Sequence, residues 1–285
     1  MNRVVAIGDF DGVHLGHRAL LEKLREWSAE LGAEPFILTF EGNSKGKPVI
    51  TDLAAKEVLF AELGIKQWRA LSFADWKDVP AKTFAADFLK KELCAIGVVI
   101  GGDFRFGKER RGSEFTLIEE RIAVKKVEYR LAEGERISSS VIRAAIAAGR
   151  LEEAERLMGH PLLLIGNARH GKGLASRYGM PTVNLRLSSA QILPPFGVYA
   201  AWVTLRGTRY PAAVNIGVRP TVERDAPPNL EAHLLAELPS FYGENVRVEP
   251  VSFVRAEQIF PSETDLFSAI RTDAEKCRAI LELLQ

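Results

Sequence analysis

Val4-Val5-Ala6-Ile7-Gly8-Asp9-Phe10-Asp11-Gly12-Val13-His14-Leu15-Gly16-His17 starts as a short buried-strand pattern, turns polar at a glycine and runs into a helix. From His14 onward, Leu20, Leu24, Trp27 and Leu31 recur at helical spacing, and Gly32 is suited to the left-handed stop behind them. The same alternation continues outward. Phe36 to Phe40 reads as a strand, Leu53 to Leu63 as a helix ended by Gly64, and Gln67 to Phe73 as a strand. A helix is expected from Pro80, in its first turn, to about Leu93, followed by a strand at Val98-Val99-Ile100 that ends in Gly101-Gly102. Strands separated by helices of this length require crossovers, hence a parallel sheet. Ligands on such sheets bind beyond the carboxyl ends of the strands, so the turns after Ile7 and Ile100 are the places to look.

Two further helices are expected at Ser138 to Ala148 and Leu151 to Met158, parted by Gly149. The texture then changes. Val198 to Leu205, Arg209 to Ile216, Leu230 to Leu235 and Val246 to Val254 are β-type runs joined by turns rich in Gly and Pro, the pattern of a barrel or sandwich. Ser262-Glu263-Thr264-Asp265 can cap a last amphipathic helix to Leu284, with Phe267, Ile270, Ala274, Cys277 and Leu281 on one face. The reading is α/β with a second, β-rich unit: one domain over 1–158 and another over 161–285. No internal repeat or low-complexity segment interrupts it.

The chain has 285 residues, Lys+Arg 38 against Asp+Glu 37, a net charge of +1, 47% apolar and 26% charged residues. These are ordinary values for a soluble globular protein, and they exclude collagen-like and disordered classes. Charge balances in each half, so nothing points to nucleic acid as a partner. No run approaches the roughly 18 apolar residues of a membrane helix. The first residues turn polar too soon for a signal peptide, and two cysteines, Cys94 and Cys277, are too few for a disulfide framework. A cytoplasmic protein is expected, and Cys277 reads as a core residue. An oligomer is possible but not indicated.

The chemistry lies in the turns. A helix start presents unpaired amides and partial positive charge, so the one after Ile7 suits an anion. His14 and His17, three apart, add donors on one face, and Gly12 and Gly16 let a phosphate approach the backbone. A histidine pair can also bind metal or simply cap a helix, but no third ligand is placed by the sequence. Gly166-Asn167-Ala168-Arg169-His170-Gly171-Lys172 nearly spells a phosphate-binding loop. Gly173 stands where Ser or Thr should hold the metal, however, and no helix clearly follows.

Three segments appear together and in order: Gly8 to His17, Gly101-Gly102-Asp103-Phe104-Arg105-Phe106-Gly107, and Ile137-Ser138-Ser139-Ser140-Val141-Ile142-Arg143. Met180-Pro181-Thr182-Val183-Asn184, Asn215 to Thr221, Glu231-Ala232-His233 and Phe241-Tyr242-Gly243 follow. Over essentially the whole chain this series resembles the bacterial bifunctional riboflavin kinase/FMN adenylyltransferases, or FAD synthetases. The resemblance implies a Rossmann-like nucleotidyltransferase domain with a parallel sheet, joined to a β-barrel riboflavin kinase domain with a C-terminal helix. It implies two reactions with Mg²⁺ and ATP: riboflavin is phosphorylated to FMN, and FMN, the intermediate, is adenylylated to FAD. The partners it implies are therefore small molecules: riboflavin, FMN and ATP.

By the same resemblance, His14 and His17 act at the ATP phosphates of the first site. Gly8, Asp11, Gly12, Gly16, Asp103, Ser138, Ser139 and Arg143 line its nucleotide. At the second site Glu231 is the catalytic base and Thr182 and Asn184 serve the metal, with Gly171, Gly179 and Asn215 at the ligand. Two stretches depart from the family pattern, and Gly102 replaces a residue that is commonly acidic there. After Thr39-Phe40-Glu41 the family continues Pro-His-Pro, where this chain has Gly42 to Pro48, and Ala175-Ser176 replace a Gly-Arg pair. Two alternatives thus stand beside the bifunctional reading: a riboflavin kinase with a degenerate first domain, and a non-catalytic flavin- or nucleotide-binding regulator.

Overall fold

The computed structural model describes residues 1–42, 46–128, 130–132, 134–169, 182–188, 190–217, 228–236 and 243–284. They form two compact units, Met1–Ser139 and Ser140–Gln285.

In the first unit, β1 (Arg3–Ile7), α1 (Leu15–Glu30), β2 (Glu34–Phe40), α2 (Leu53–Glu62) and β3 (Gln67–Leu71) follow the sequence pattern closely. The third strand is shorter than the apolar run suggested. Ser72 takes the N-cap position of the short helix α3 (Phe73–Trp76), which draws Phe73 out of the sheet. Pro80 likewise caps rather than enters the next helix. After α4 (Ala81–Thr83), the chain widens into a π-helix over Phe84–Glu92, closed by Leu93 N–H donating to Phe88 O at 2.9 Å. That register brings Phe84 and Phe88 into the cluster containing Val5, Leu38 and Val98.

β4 (Ala95–Gly101), α5 (Glu114–Glu119) and β5 (Ala123–Val127) complete a five-stranded sheet of order β3-β2-β1-β4-β5, all parallel. β5 and the short hairpin of β6 (Leu131–Ala132) and β7 (Glu135–Arg136) were not legible in the sequence. Leu20, Leu21, Leu24 and Trp27 form the buried stripe of α1. Gly97 makes room for that stripe, since a Cβ there would stand 2.8 Å from the Trp27 ring. The connection order reverses between β1 and β4, the switch point at which such sheets open a crevice.

The second unit begins with most of α6 (Ser139–Ala147) and α7 (Leu151–Met158), the latter ending on Gly159 at φ 76°. A closed barrel follows, made of β8 (Leu164–Arg169), β9 (Thr182–Arg186), β10 (Gly197–Leu205), β11 (Thr208–Gly217), β12 (Asn229–Leu234) and β13 (Asn245–Ala256). The order β10-β11-β12-β9-β8-β13 closes through the antiparallel pairing of β13 with β10. Ala201, Val203, Val214, Ala232 and Val183 are fully buried on the alternate positions that face inward. α8 (Glu263–Glu282), capped by the Ser262 side chain, covers part of the outer face. There Cys277 and Leu281 pack on Val198, Ala200, Trp202 and Ala213, which is the core role expected of Cys277.

Candidate functional sites

The first candidate site grows from the turn between β1 and α1. His14 is the N-cap of α1, and its Nδ1 accepts from the His17 N–H at 3.3 Å. An imidazole that accepts at Nδ1 carries its proton at Nε2, which makes that nitrogen a donor. The two rings stack with centroids 3.6 Å apart, and Phe10 meets His17 edge-on at 5.3 Å. Gly16 permits the stack: a Cβ there would press on the His14 ring at 3.2 Å.

His17 Nδ1 is buried with no hydrogen-bond partner among the described residues. Burial above all, then His14 and Lys56, holds the His17 imidazole well below its ordinary pKa, so the ring is neutral. A neutral ring with an unsatisfied buried nitrogen at the start of a helix fits a polyphosphate ligand.

Asp11 takes a different position from an open ligand contact. It is buried, and its Oδ1 accepts from the N–H groups of Ile50 (2.6 Å) and Thr51 (3.3 Å). Gly12 N–H donates to Thr51 Oγ1 at 2.9 Å, and Ser139 Oγ donates to Asp11 O at 2.9 Å. These bonds clamp the His-bearing turn from two sides. Asp11→Ala should therefore cost the first unit about 1–3 kcal/mol through its orphaned amides. A lowered urea midpoint for that unit's transition, with the barrel's transition unmoved, is the expected reading.

Gly8 and Asp103 line one crevice at the carboxyl ends of β1 and β4, together with Phe40, Trp76, Phe84 and Phe104. Asp103 is exposed at its mouth and accepts from Arg136 at 3.2 Å. Aromatic walls at a sheet switch point suit a flat ring system. Thus the structure gathers Gly12, Gly16, His14, His17 and Ser139 about one turn, and places Gly8 and Asp103 on the adjoining crevice. Ser138 immediately precedes α6, and Arg143 is buried one turn along it, within the second unit. Sequence reasoning missed Lys56. The available signal was a lone cation between Ala55 and Leu59 on the buried stripe of α2.

The second candidate site lies on the outer face of the barrel. Strand register sets Asn215 opposite Glu231 and Glu231 opposite Asn184, a row of polar side chains across β11, β12 and β9. The next row sets His233 opposite Thr182, with the Thr182 hydroxyl 3.1 Å from His233 Nδ1. Glu231 sits between the inward-facing Leu230 and Ala232, so it points outward, where it is partly exposed. A cavity lies between this surface and α8, lined by Asn215, Glu231 and His233 on one side and Leu266, Ile270 and Asp273 on the other. Arg255 anchors the helix, its Nε donating to both carboxylate oxygens of Asp273 at 3.0 Å and its Nη2 to one of them at 2.7 Å. Burial holds the His233 imidazole below its ordinary value, against the opposing pull of Glu231 and Asp273. Thr182 and Asn184 are both buried. Gly171 and Gly179 lie outside the described residues.

A parallel α/β unit with an imidazole pair at a helix start, joined in one chain to a closed barrel that carries Glu231 between two asparagines, is the makeup of a transferase. The FAD synthetase family model matches residues 1–141, and the riboflavin kinase family model matches 158–281. The bifunctional riboflavin kinase/FMN adenylyltransferase of Pseudomonas fluorescens is 33% identical over 288 residues, covering 97% of this chain and 92% of that one. Its Escherichia coli (strain K12) counterpart is 34% identical over 294 residues, covering 98% and 93%. A crystal structure described as a macrolide-efflux protein from Streptococcus pneumoniae shares the fold at a TM-score of 0.79 and 27% identity, over 97% of this chain and 94% of that one. No described helix is long and apolar enough to cross a membrane. The chain belongs to the bifunctional riboflavin kinase/FMN adenylyltransferase family.

Proposed function

We propose that the chain phosphorylates riboflavin to FMN in the barrel and adenylylates FMN to FAD in the α/β unit, each with Mg²⁺-ATP. The observation that carries this reading is the coexistence of two built sites, the stacked His14–His17 pair and the Asn215–Glu231–Asn184 row. We assign the adenylylating module to residues 1–158 and the kinase module to 161–285.

In the barrel, the terminal ribityl hydroxyl attacks the γ-phosphorus of ATP. An O–P bond forms, the bridging bond to the β-phosphate breaks, and ADP leaves. An alcohol is a weak nucleophile at neutral pH, so a carboxylate that orients it and takes its proton lowers the barrier. Glu231 fills that role from the wall of the cavity beside α8. Magnesium supplies charge neutralisation on the phosphates. The oxygens of Thr182 and Asn184 are the hard donors suited to hold it. Asn215 and the Gly171 and Gly179 segment complete the ligand contacts.

In the α/β unit, a phosphate oxygen of FMN attacks the α-phosphorus of ATP and pyrophosphate departs. The nucleophile is already ionised, so positioning and charge stabilisation are the whole task. His14 donates from Nε2, and His17 presents its unsatisfied nitrogen. The α1 amides, Gly8, Gly12, Gly16, Ser138, Ser139 and Arg143 add donors or room, Asp103 faces the nucleotide, and Asp11 positions the turn. The aromatic crevice takes the flavin. Small molecules are the only partners proposed. The cytoplasmic assignment is supported by Cys94 and Cys277, both free thiols.

The kinase-only alternative rests on the Gly42 to Pro48 stretch that stands in place of Pro-His-Pro. One assay decides among the three readings: riboflavin and Mg²⁺-ATP incubated with the purified chain and resolved by chromatography. FMN followed by FAD is expected. FMN alone would establish the kinase-only enzyme, and bound flavin without turnover the regulator.

A further inference from the structure

Lys56 has no part in the chemistry just described, and its surroundings are unusual for a lysine. It is 1% exposed on the inner face of α2, among Ala55, Leu59 and Phe60. Lysines are almost never buried so fully unless they are paired. Its Nζ donates to two neutral oxygens, Thr39 Oγ1 at 3.0 Å and Phe40 O at 3.1 Å. Thr39 Oγ1 in turn donates to Asp9 O at 3.0 Å. A continuous chain of hydrogen bonds thus ties α2 to the carboxyl end of β2 and on to the turn after β1. Asp9 and Phe40, the two ends of that chain, both line the aromatic crevice.

The charged groups acting on the ammonium are Asp9 and Asp11 in the β1 turn and Asp52 at the α2 N-cap. Burial outweighs the support of these three carboxylates and holds the ammonium below the ordinary lysine pKa. Its field also reaches the imidazole pair, where it adds to the effect of His14 on His17.

We propose that Lys56 is a positioning residue for adenylyl transfer, clamping the carboxyl ends of β1 and β2 into one floor and fixing a positive charge beside the imidazole pair. It rests on the adenylyltransferase reading of His14 and His17. A fixed cation in a water-poor pocket needs no reorganisation as charge shifts from the attacking to the leaving phosphate, which is where electrostatic catalysis is most effective. The clamp holds the crevice that must present FMN in line, and small misplacements there are costly.

The test uses three variants of the full chain. Lys56→Gln can still donate to Thr39 and Phe40 but carries no charge, Lys56→Met loses both functions, and Lys56→Arg keeps the charge. FMN-to-FAD conversion is measured with kcat and KM separated, FMN formation serves as the internal control, and NMR follows the His17 titration. Lys56→Met is expected to lower the kcat of FAD formation by about 10²-fold, with the KM for FMN and the kinase rate little changed. Lys56→Gln should fold like the parent and still lose kcat, Lys56→Arg should recover most of it, and in both neutral variants His17 should titrate at higher pH. Full FAD formation by Lys56→Gln, or lost kcat with an unmoved His17 titration, would overturn the proposal. A parent chain that makes FMN but no FAD is a different result, since it removes the adenylyltransferase reading itself.

Discussion

Glu231→Gln is expected to reduce FMN formation by about 10²–10⁴-fold, the usual worth of a positioned general base. The amide keeps the size of the carboxylate and the Leu230–Ala232 packing on either side, so the barrel should remain folded. What it removes is the acceptor for the ribityl proton. The loss should fall on kcat, because Asn215 and the α8 side of the cavity, which would hold the flavin, are untouched. FMN-to-FAD conversion by the same preparation should stay at the parent rate. Equal loss of both reactions would show that the two sites are not separate, and an unchanged kinase rate would remove Glu231 from the chemistry.

His17→Ala should produce the mirror image, with FAD formation lowered by about 10²–10³-fold and the kinase spared. The substitution deletes the buried Nδ1 and breaks the stack with His14. It also predicts an effect on stability. The folded-state pKa of His17 is depressed, so below the ordinary histidine pKa of about 6.5 the unfolded chain binds a proton that the folded chain refuses. Stability of the first unit is therefore complete above that pH and is lost as pH falls through it. In His17→Ala this acid limb should become shallower, as read from unfolding midpoints between neutral and mildly acidic pH. A limb as steep as the parent's would mean that His17 is not the group refusing the proton.

Lys56 and Glu231 show why some of the proposed site residues are legible in the sequence and others are not. Glu231 stood in a motif, and alternation along β12 already set it opposite in direction to Leu230 and Ala232. Lys56 carried no motif. Its meaning comes from Thr39 and Phe40, sixteen and more residues away in the chain, whose oxygens meet the ammonium only after β2 pairs with β1. Asp11 shows a third case: the motif located the residue, while the amides of Ile50 and Thr51 gave its carboxylate a structural use.

Local chemistry was enough for the strand–turn–helix from Arg3 to Glu30, for the glycine stops after α1 and α2, for the Ser262 cap of α8, and for the change to β-type alternation after residue 160. Each depends on neighbours within a few turns, so period and capping residues reveal it. The edge strand β5, the π register of Phe84–Glu92 and the strands β8 and β9 were decided by partners distant in sequence. The second site shows the division most clearly. A period of two states which side chains share a face, but whether that face meets water depends on what lies over it. Here α8, held by Arg255 and Asp273, turns the outer wall of a barrel into the lining of a cavity.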